Sequence, residues 1–205
     1  MAKRKRTPPN KGRKYPAEVL TDDEVQRLIR ACSKRAPTGI RNRALIVMMY
    51  RGGLRIAEAL SLSPKDLDAE RGTVRVLRGK GQKARTVGLD AGAFAVVDRW
   101  LDVRRQKGIN GRAPLFCTLQ GQAIKAPYVR ALLPRLAKKA GIEKRVHPHG
   151  LRHTHAAQLA AEGVPLNVIQ AQLGHSNAAT TSRYLQHIAP QQLIEAMRKR
   201  DWSLT

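Results

Sequence analysis

The run "HPHGLRHTHAAQLA", residues 147–160, places four histidines and one arginine at the front of a helix-like stretch. His149 and His153 stand four apart, the spacing at which two zinc ligands share a helix face. Arg152 lies on that face and repels a cation, and no cysteine is nearby. The arginine points to the opposite charge. His149 and Arg152, three apart, both aim donors at an anion, and a guanidinium binds phosphate oxygens as a fork. Such a pair is common by chance, so other segments must complete the site. "YRGGLRIAEALSL" sets Arg55 just after a Gly-Gly break at a helix start, with Glu58 three residues on. "RGKGQKAR" carries Lys80 at a turn, and "LGHSNAATTSRYLQH" carries His175 after a glycine with Tyr184 nine residues beyond it. The set suits phosphate chemistry.

The elements that would position these groups are readable. Residues 1–17, with Pro8, Pro9 and Pro16, read as a flexible basic arm. In "LTDDEVQRLIRAC", Thr21 is an N-cap with Glu24 three residues later, and Asp22 and Asp23 favour the positive end of a helix dipole. "NRALIVMMY" is apolar almost all round and predicts a central buried helix, ended by Gly52 and Gly53. Two β-prone runs, 73–78 and 84–89, flank a Gly- and Lys-rich turn and predict a hairpin. A helix over 91–106 follows, then a short strand around "PLFCT" and a helix in "YVRALLPRLAKKAG" kinked at Pro134. The last third predicts helices over 149–162, 166–173, 178–184 and 191–198, with Gly163 and Gly174 as stops. The expected fold class is α+β, mainly α: a helical domain with one small antiparallel β-sheet.

Composition narrows the partner. The chain has 205 residues, with 39 Lys and Arg against 15 Asp and Glu, a formal charge of +24. A surplus that large repels itself unless it meets a polyanion, with nucleic acid first and an anionic membrane second. The arm cations Lys3, Arg4, Lys5, Arg6, Lys11, Arg13 and Lys14 leave +17 on the remainder. No apolar run spans a bilayer, and the N-terminus lacks the apolar core of a secretory signal. Cys32 and Cys117 form no zinc pattern and read as reduced thiols of a cytoplasmic protein. Only 4% of residues are aromatic, too few for a single-strand stacking platform.

Arg, Lys, His-x-x-Arg, Gly-His and Tyr in that order resemble the tyrosine recombinase (phage integrase) family, and "YPAEVLTDDEVQRLIRA" resembles the entry into that family's catalytic domain. The resemblance runs from about Tyr15 to Thr205. It implies a DNA breaking–rejoining fold over 18–205. It also implies that Tyr184 attacks a phosphodiester of double-stranded DNA, giving a 3′-phosphotyrosyl link and a free 5′-hydroxyl. His149 would be base or proton relay, and Arg55 and Arg152 would clamp the non-bridging oxygens with a hydrogen bond from His175. Lys80 would protonate the leaving oxygen, and Glu58 would orient neighbouring side chains. Neither ATP nor metal is implied. Consistently, "GKGQK" lacks the upstream glycine and the following Ser/Thr of a P-loop, and no carboxylate cluster suggests paired magnesium ions.

Each residue also has a plainer reading. Tyr184 reads as a core tyrosine, Lys80 as a turn lysine with Lys83 competing for its role, and Glu58 as a surface ion-pair partner. Lys83 and Arg85 read as hairpin contacts to DNA, and Arg55 and Arg152 as phosphate contacts without chemistry. Residues from Ala156 to Leu185 scan as helix–turn–helix, so a non-catalytic regulator or accessory binder is an alternative, as is a type IB topoisomerase-like enzyme. Family members usually carry a helical clamp ahead of the catalytic domain, so the resemblance implies either a compact stand-alone recombinase or a fragment of a longer chain. No separate clamp domain is expected within these residues, and the basic arm would replace part of it. "APQQLIEAMRKR", within a helix expected over about 189–200, would link protomers in a synaptic tetramer on DNA.

Overall fold

A computed structural model describes residues 18–77, 84–174 and Arg198. The basic arm with its seven cations, Lys80, Lys83, His175, Tyr184 and the expected C-terminal helix all lie outside the described residues. Within them are seven α-helices, one turn of 3-10 helix (Pro64–Asp66) and three strands: α1 (Asp22–Arg30), α2 (Pro37–Arg51), α3 (Ile56–Ser61), β1 (Leu67–Asp68), β2 (Thr73–Val76), β3 (Arg85–Gly88), α4 (Ala91–Gln106), α5 (Ala126–Lys139), α6 (Pro148–Ala161) and α7 (Leu166–Leu173).

α2 is the axis of the core. Ala44 to Tyr50 are all buried, as an apolar run without a polar face requires, and α1, α3, α4 and α6 pack around it. The helix begins further upstream than the apolar run suggests, because Pro37 supplies a preset first turn. α1 starts as expected, with Thr21 Oγ1 accepting the Glu24 N–H and the Glu24 carboxylate accepting the Thr21 N–H. Just before it, the Leu20 N–H donates to Thr154 Oγ1 in α6 at 3.1 Å, pinning the incoming chain beside the helix that carries His149 and Arg152.

The sheet is antiparallel in the order β1-β2-β3. The hairpin is in place, with Thr73 opposite Gly88 and Val76 opposite Arg85. The two-residue β1 was not anticipated, since so short a strand carries no periodic signal. Conversely, "PLFCT" forms no strand. Its backbone makes one isolated bridge, Cys117 to Ala123, and a bond from the Leu115 N–H to the Leu62 carbonyl, and side chains hold most of its carbonyls. The buried Arg104 guanidinium donates to the carbonyls of Asn110, Ala113, Pro114 and Leu115, and Trp100 Nε1 donates to Leu115 at 2.7 Å. α5 runs through Pro134 to Lys139. No described helix is long and apolar enough to cross a membrane.

Candidate active site

Three chain segments far apart in sequence meet at one pocket of about 600 Å³: the start of α3, the middle of α5 and the start of α6. α3 contributes Arg55 and Ile56. α5 contributes Arg130 and Pro134, and the segment entering α6 contributes Arg145, Val146, His147, Pro148, His149 and Arg152. No carboxylate is among these lining residues.

The carboxylate that organises the pocket stands behind it. Glu58 is buried, and both its oxygens are engaged by arginines. Arg85 grips it as a fork, at 2.8 Å to Oε1 and 3.0 Å to Oε2. Arg55 donates its guanidinium to Oε1 at 2.8 Å and its backbone N–H to Oε2 at 2.9 Å, and Arg152 stands 3.9 Å from Oε2. Burial pushes the Glu58 carboxyl up, but the Arg85 fork and the Arg55 donors outweigh it and hold the pKa at about 2. A carboxylate held so firmly is no proton donor. It serves as a charged post to which Arg55 and Arg85 are tied.

Arg152 is 1% exposed, and its placement follows from the turn before α3. It donates to the Gly53 carbonyl at 2.5 Å and to the Leu173 carbonyl at 2.6 Å. Gly53 adopts φ +59°, and a Cβ there would lie 2.8 Å from His155 Cδ2 and 2.9 Å from Leu173 Cδ2. The second glycine of the Gly-Gly break is thus required both by backbone conformation and by space. Leu173 ends α7, where Gly174 turns left-handed with φ +63°. The chain therefore leaves the described residues toward His175 one position after a carbonyl that Arg152 holds.

The four histidines separate by environment. His147 caps α6, its Nδ1 accepting the Gly150 N–H at 3.1 Å, a role the sequence left unassigned. His149 faces the pocket, and its ring meets His153 edge to face at 4.0 Å between centroids. Burial, with the charges of Arg152, His147 and Arg55, lowers the His149 pKa below the ordinary imidazole value, which keeps the ring neutral and able to accept a proton at pH 7. His153 and His155 are buried in the body of α6.

Arg85 departs from its reading as a DNA contact. Its side chain is 11% exposed and is committed to Glu58. The alternation of the hairpin explains this: Arg85 shares its face with Val87, opposite the buried Val74 and Val76. That period-two pattern was visible in the sequence. Arg130 and Arg145 were missed altogether, since neither belongs to a motif and only the fold brings them to the pocket.

Two further bonds tie the hairpin to α7. The Gly88 N–H donates to Gln172 Oε1 at 2.9 Å, and Gln172 Nε2 donates to the Gly88 carbonyl at 2.8 Å. β3, which follows Lys80 in the chain, and α7, which precedes His175, are therefore fixed to each other.

Fold and site together define a mainly helical domain with a small antiparallel sheet and a pocket lined by four arginines. Residues 18–190 match the phage integrase family, and the chain belongs to that family. Tyrosine recombinase XerC of Thermodesulfovibrio yellowstonii is 36% identical over 187 residues, covering 89% of this chain and 62% of the relative. The crystal structure of XerA recombinase superposes with a TM-score of 0.81 at 30% identity, over 96% of this chain and 70% of that one. The structure of XerH site-specific recombinase bound to its palindromic difH substrate, a post-cleavage complex, gives 0.74 at 30% identity, over 89% of this chain and 53% of that one. The chain spans about three fifths of the length of the curated XerC relative.

Proposed function

We propose that this protein is a site-specific DNA recombinase that cuts and rejoins double-stranded DNA through a 3′-phosphotyrosyl intermediate. One observation carries the reading: Arg55, tied to Glu58 with Arg85 behind it, and Arg152, 3.9 Å from Glu58, are distant in sequence yet share one pocket with His149. The relationship to XerC, XerA and XerH supports it.

In this reading a DNA phosphodiester enters the pocket with its non-bridging oxygens toward Arg55 and Arg152. The Tyr184 phenol, with an ordinary pKa of about 10, gives up its proton as it attacks phosphorus, and neutral His149 accepts or relays it. Phosphorus gains the tyrosyl oxygen and loses the 5′-oxygen, which Lys80 protonates. Charge building on the non-bridging oxygens meets guanidiniums already fixed by carbonyls and Glu58, so little reorganisation is needed at the barrier. His175 adds a hydrogen bond. Because the phosphoester bond is exchanged rather than spent, no ATP is consumed. The catalytic domain begins at residue 18, the basic arm tracks backbone phosphates, and protomers assemble on DNA through the C-terminal helix. The enzyme works on chromosomal DNA in the cytoplasm, associated with the nucleoid.

The regulator reading is weakened by α7, its expected recognition helix. "LNVIQAQL" carries no charged residue, and its Gln172 is spent on the hairpin. The test is covalent capture. A library of nicked duplexes of randomised sequence is incubated with the protein, denatured and probed for a protein–DNA adduct. The expected result is an adduct selected on particular sequences and abolished in Tyr184→Phe, with DNA binding retained. No adduct with any member overturns the proposal. Adduct with supercoil relaxation, but no exchange between two sites, replaces it with the topoisomerase reading.

A further inference from the structure

We propose that Arg130 and Arg145 form a second phosphate subsite, which holds a DNA backbone phosphate neighbouring the one gripped by Arg55 and Arg152. The inference rests on the recombinase reading for the identity of the ligand. Charge is the first argument. Arg55, Arg130, Arg145 and Arg152 line the pocket and Arg85 stands behind it, while among the described residues the carboxylates that pair with or bond to these arginines are those of Glu58 and Glu18. The balance is +3, and a single phosphodiester supplies only one negative charge.

Commitment of the side chains is the second argument. Arg55 is tied to Glu58 and Arg152 to two carbonyls, whereas neither Arg130 nor Arg145 has an ion pair among the described residues. The surroundings of Arg145 show why its guanidinium is left for a ligand. Its neighbour Lys144 is neutralised by Glu24 at 2.8 Å. Glu18 instead takes the Arg145 backbone N–H at 2.5 Å, fixing that stretch of chain while the side chain lines the pocket.

Shape is the third. A cavity of about 600 Å³ is in the range that holds drug-sized molecules, far more than one phosphate occupies. Apolar side chains also line it, among them Pro134 one helical turn beyond Arg130 and Val146 next to Arg145. A deoxyribose flanked by two phosphates matches that mixture: charged ends on guanidiniums, an apolar middle against proline and valine.

The test is the salt dependence of binding to a short duplex of arbitrary sequence, followed by fluorescence anisotropy. Each phosphate neutralised contributes about 0.9 to the slope of log affinity against log salt. Arg130→Gln with Arg145→Gln together should reduce the slope by about 0.9 and weaken binding about fivefold at 0.15 M salt. Either single variant should give no more than the pair, because both serve one phosphate. Both side chains are exposed, so thermal unfolding should be unchanged. Arg99→Gln, exposed on α4 away from the pocket, should leave the slope as it is. An unchanged slope in the double variant, a loss near 1.8, or an equal loss from Arg99→Gln overturns the subsite. Adduct capture separates the two proposals. Slope loss without any adduct keeps the phosphate subsite and ends the recombinase reading, whereas adduct formation with an unchanged slope does the reverse.

Discussion

Replacing Glu58 with glutamine probes the buried charge to which Arg55 and Arg85 are tied. The substitution keeps size and shape and removes one charge. In the wild-type protein the carboxyl falls from an ordinary 4.5 to about 2, so the folded state favours the ionised form by about 3 kcal/mol. Its side chain is 9% exposed and that of Arg85 is 11% exposed, so solvent does little to screen the loss. Breaking a buried ion pair by removing one partner typically costs about 3–5 kcal/mol. Arg55, with 42% side-chain exposure, can turn to water, which places the expected cost at the lower end, about 3 kcal/mol at pH 7. Urea unfolding of wild type and Glu58→Gln gives this difference directly. The sign with pH is fixed: a carboxyl whose folded pKa is depressed stabilises fully above 4.5 and loses that contribution as pH falls toward 2. The gap between the two proteins should therefore be nearly constant from pH 7 to about 5 and narrow by about 1.4 kcal/mol at pH 3.5. Arg85→Leu should cost a similar amount, and the double variant much less than the two together. A gap below about 1 kcal/mol at pH 7, or one that does not narrow in acid, would refute the view of Glu58 as a buried charged anchor.

Other consequences are open to equally direct measurement. Gly53→Ala places a Cβ 2.8 Å from His155 and forces a left-handed alanine; at about 2–4 kcal/mol, Tm should fall by roughly 5–10 °C, and an unchanged Tm would contradict the packing at the Gly-Gly turn. His155 is buried, with neither ring nitrogen hydrogen-bonded among the described residues, and burial together with the Arg51 and Arg152 charges lowers its pKa to about 4. The unfolded chain therefore binds the proton more readily below pH 6.5, so wild type should lose up to about 3 kcal/mol relative to His155→Leu between pH 6.5 and 4, as read from urea midpoints at each pH. Gln172→Leu removes two bonds to Gly88, at about 1–2 kcal/mol, and should speed hydrogen exchange at the Gly88 amide and slow adduct formation while leaving DNA affinity intact; unaltered exchange would show that the bridge does not hold in solution.

Local signals were legible wherever a short window carries the cause. Thr21 with Glu24 specifies the start of α1, the apolar run 44–50 specifies a buried helix, and the alternation around Val74, Val76 and Val87 specifies the hairpin. "PLFCT" shows the limit of such reading. Its composition suits a strand, but Arg104 and Trp100 take its carbonyls, and a side chain from another helix leaves no trace in the local pattern. Arg85 is an intermediate case. Its alternation with Val87 marks an inward face, while its charge reads as an outward one, and only Glu58 behind it resolves the conflict.

The sequence by itself determined the kinds of residue available for chemistry, their order along the chain, the helical character of the domain and the excess of positive charge. Those properties depend on side-chain type and on periods of two or of three to four residues, which any window of the chain displays. Tertiary structure alone decided that Glu58 binds Arg85 across 27 residues, that Arg152 holds the carbonyl of Gly53 across 99, and that Arg130 and Arg145 face the same pocket. Such pairings are set by which helices pack together around α2. Electrostatic attraction falls off over a few ångströms of space, whatever the distance along the chain.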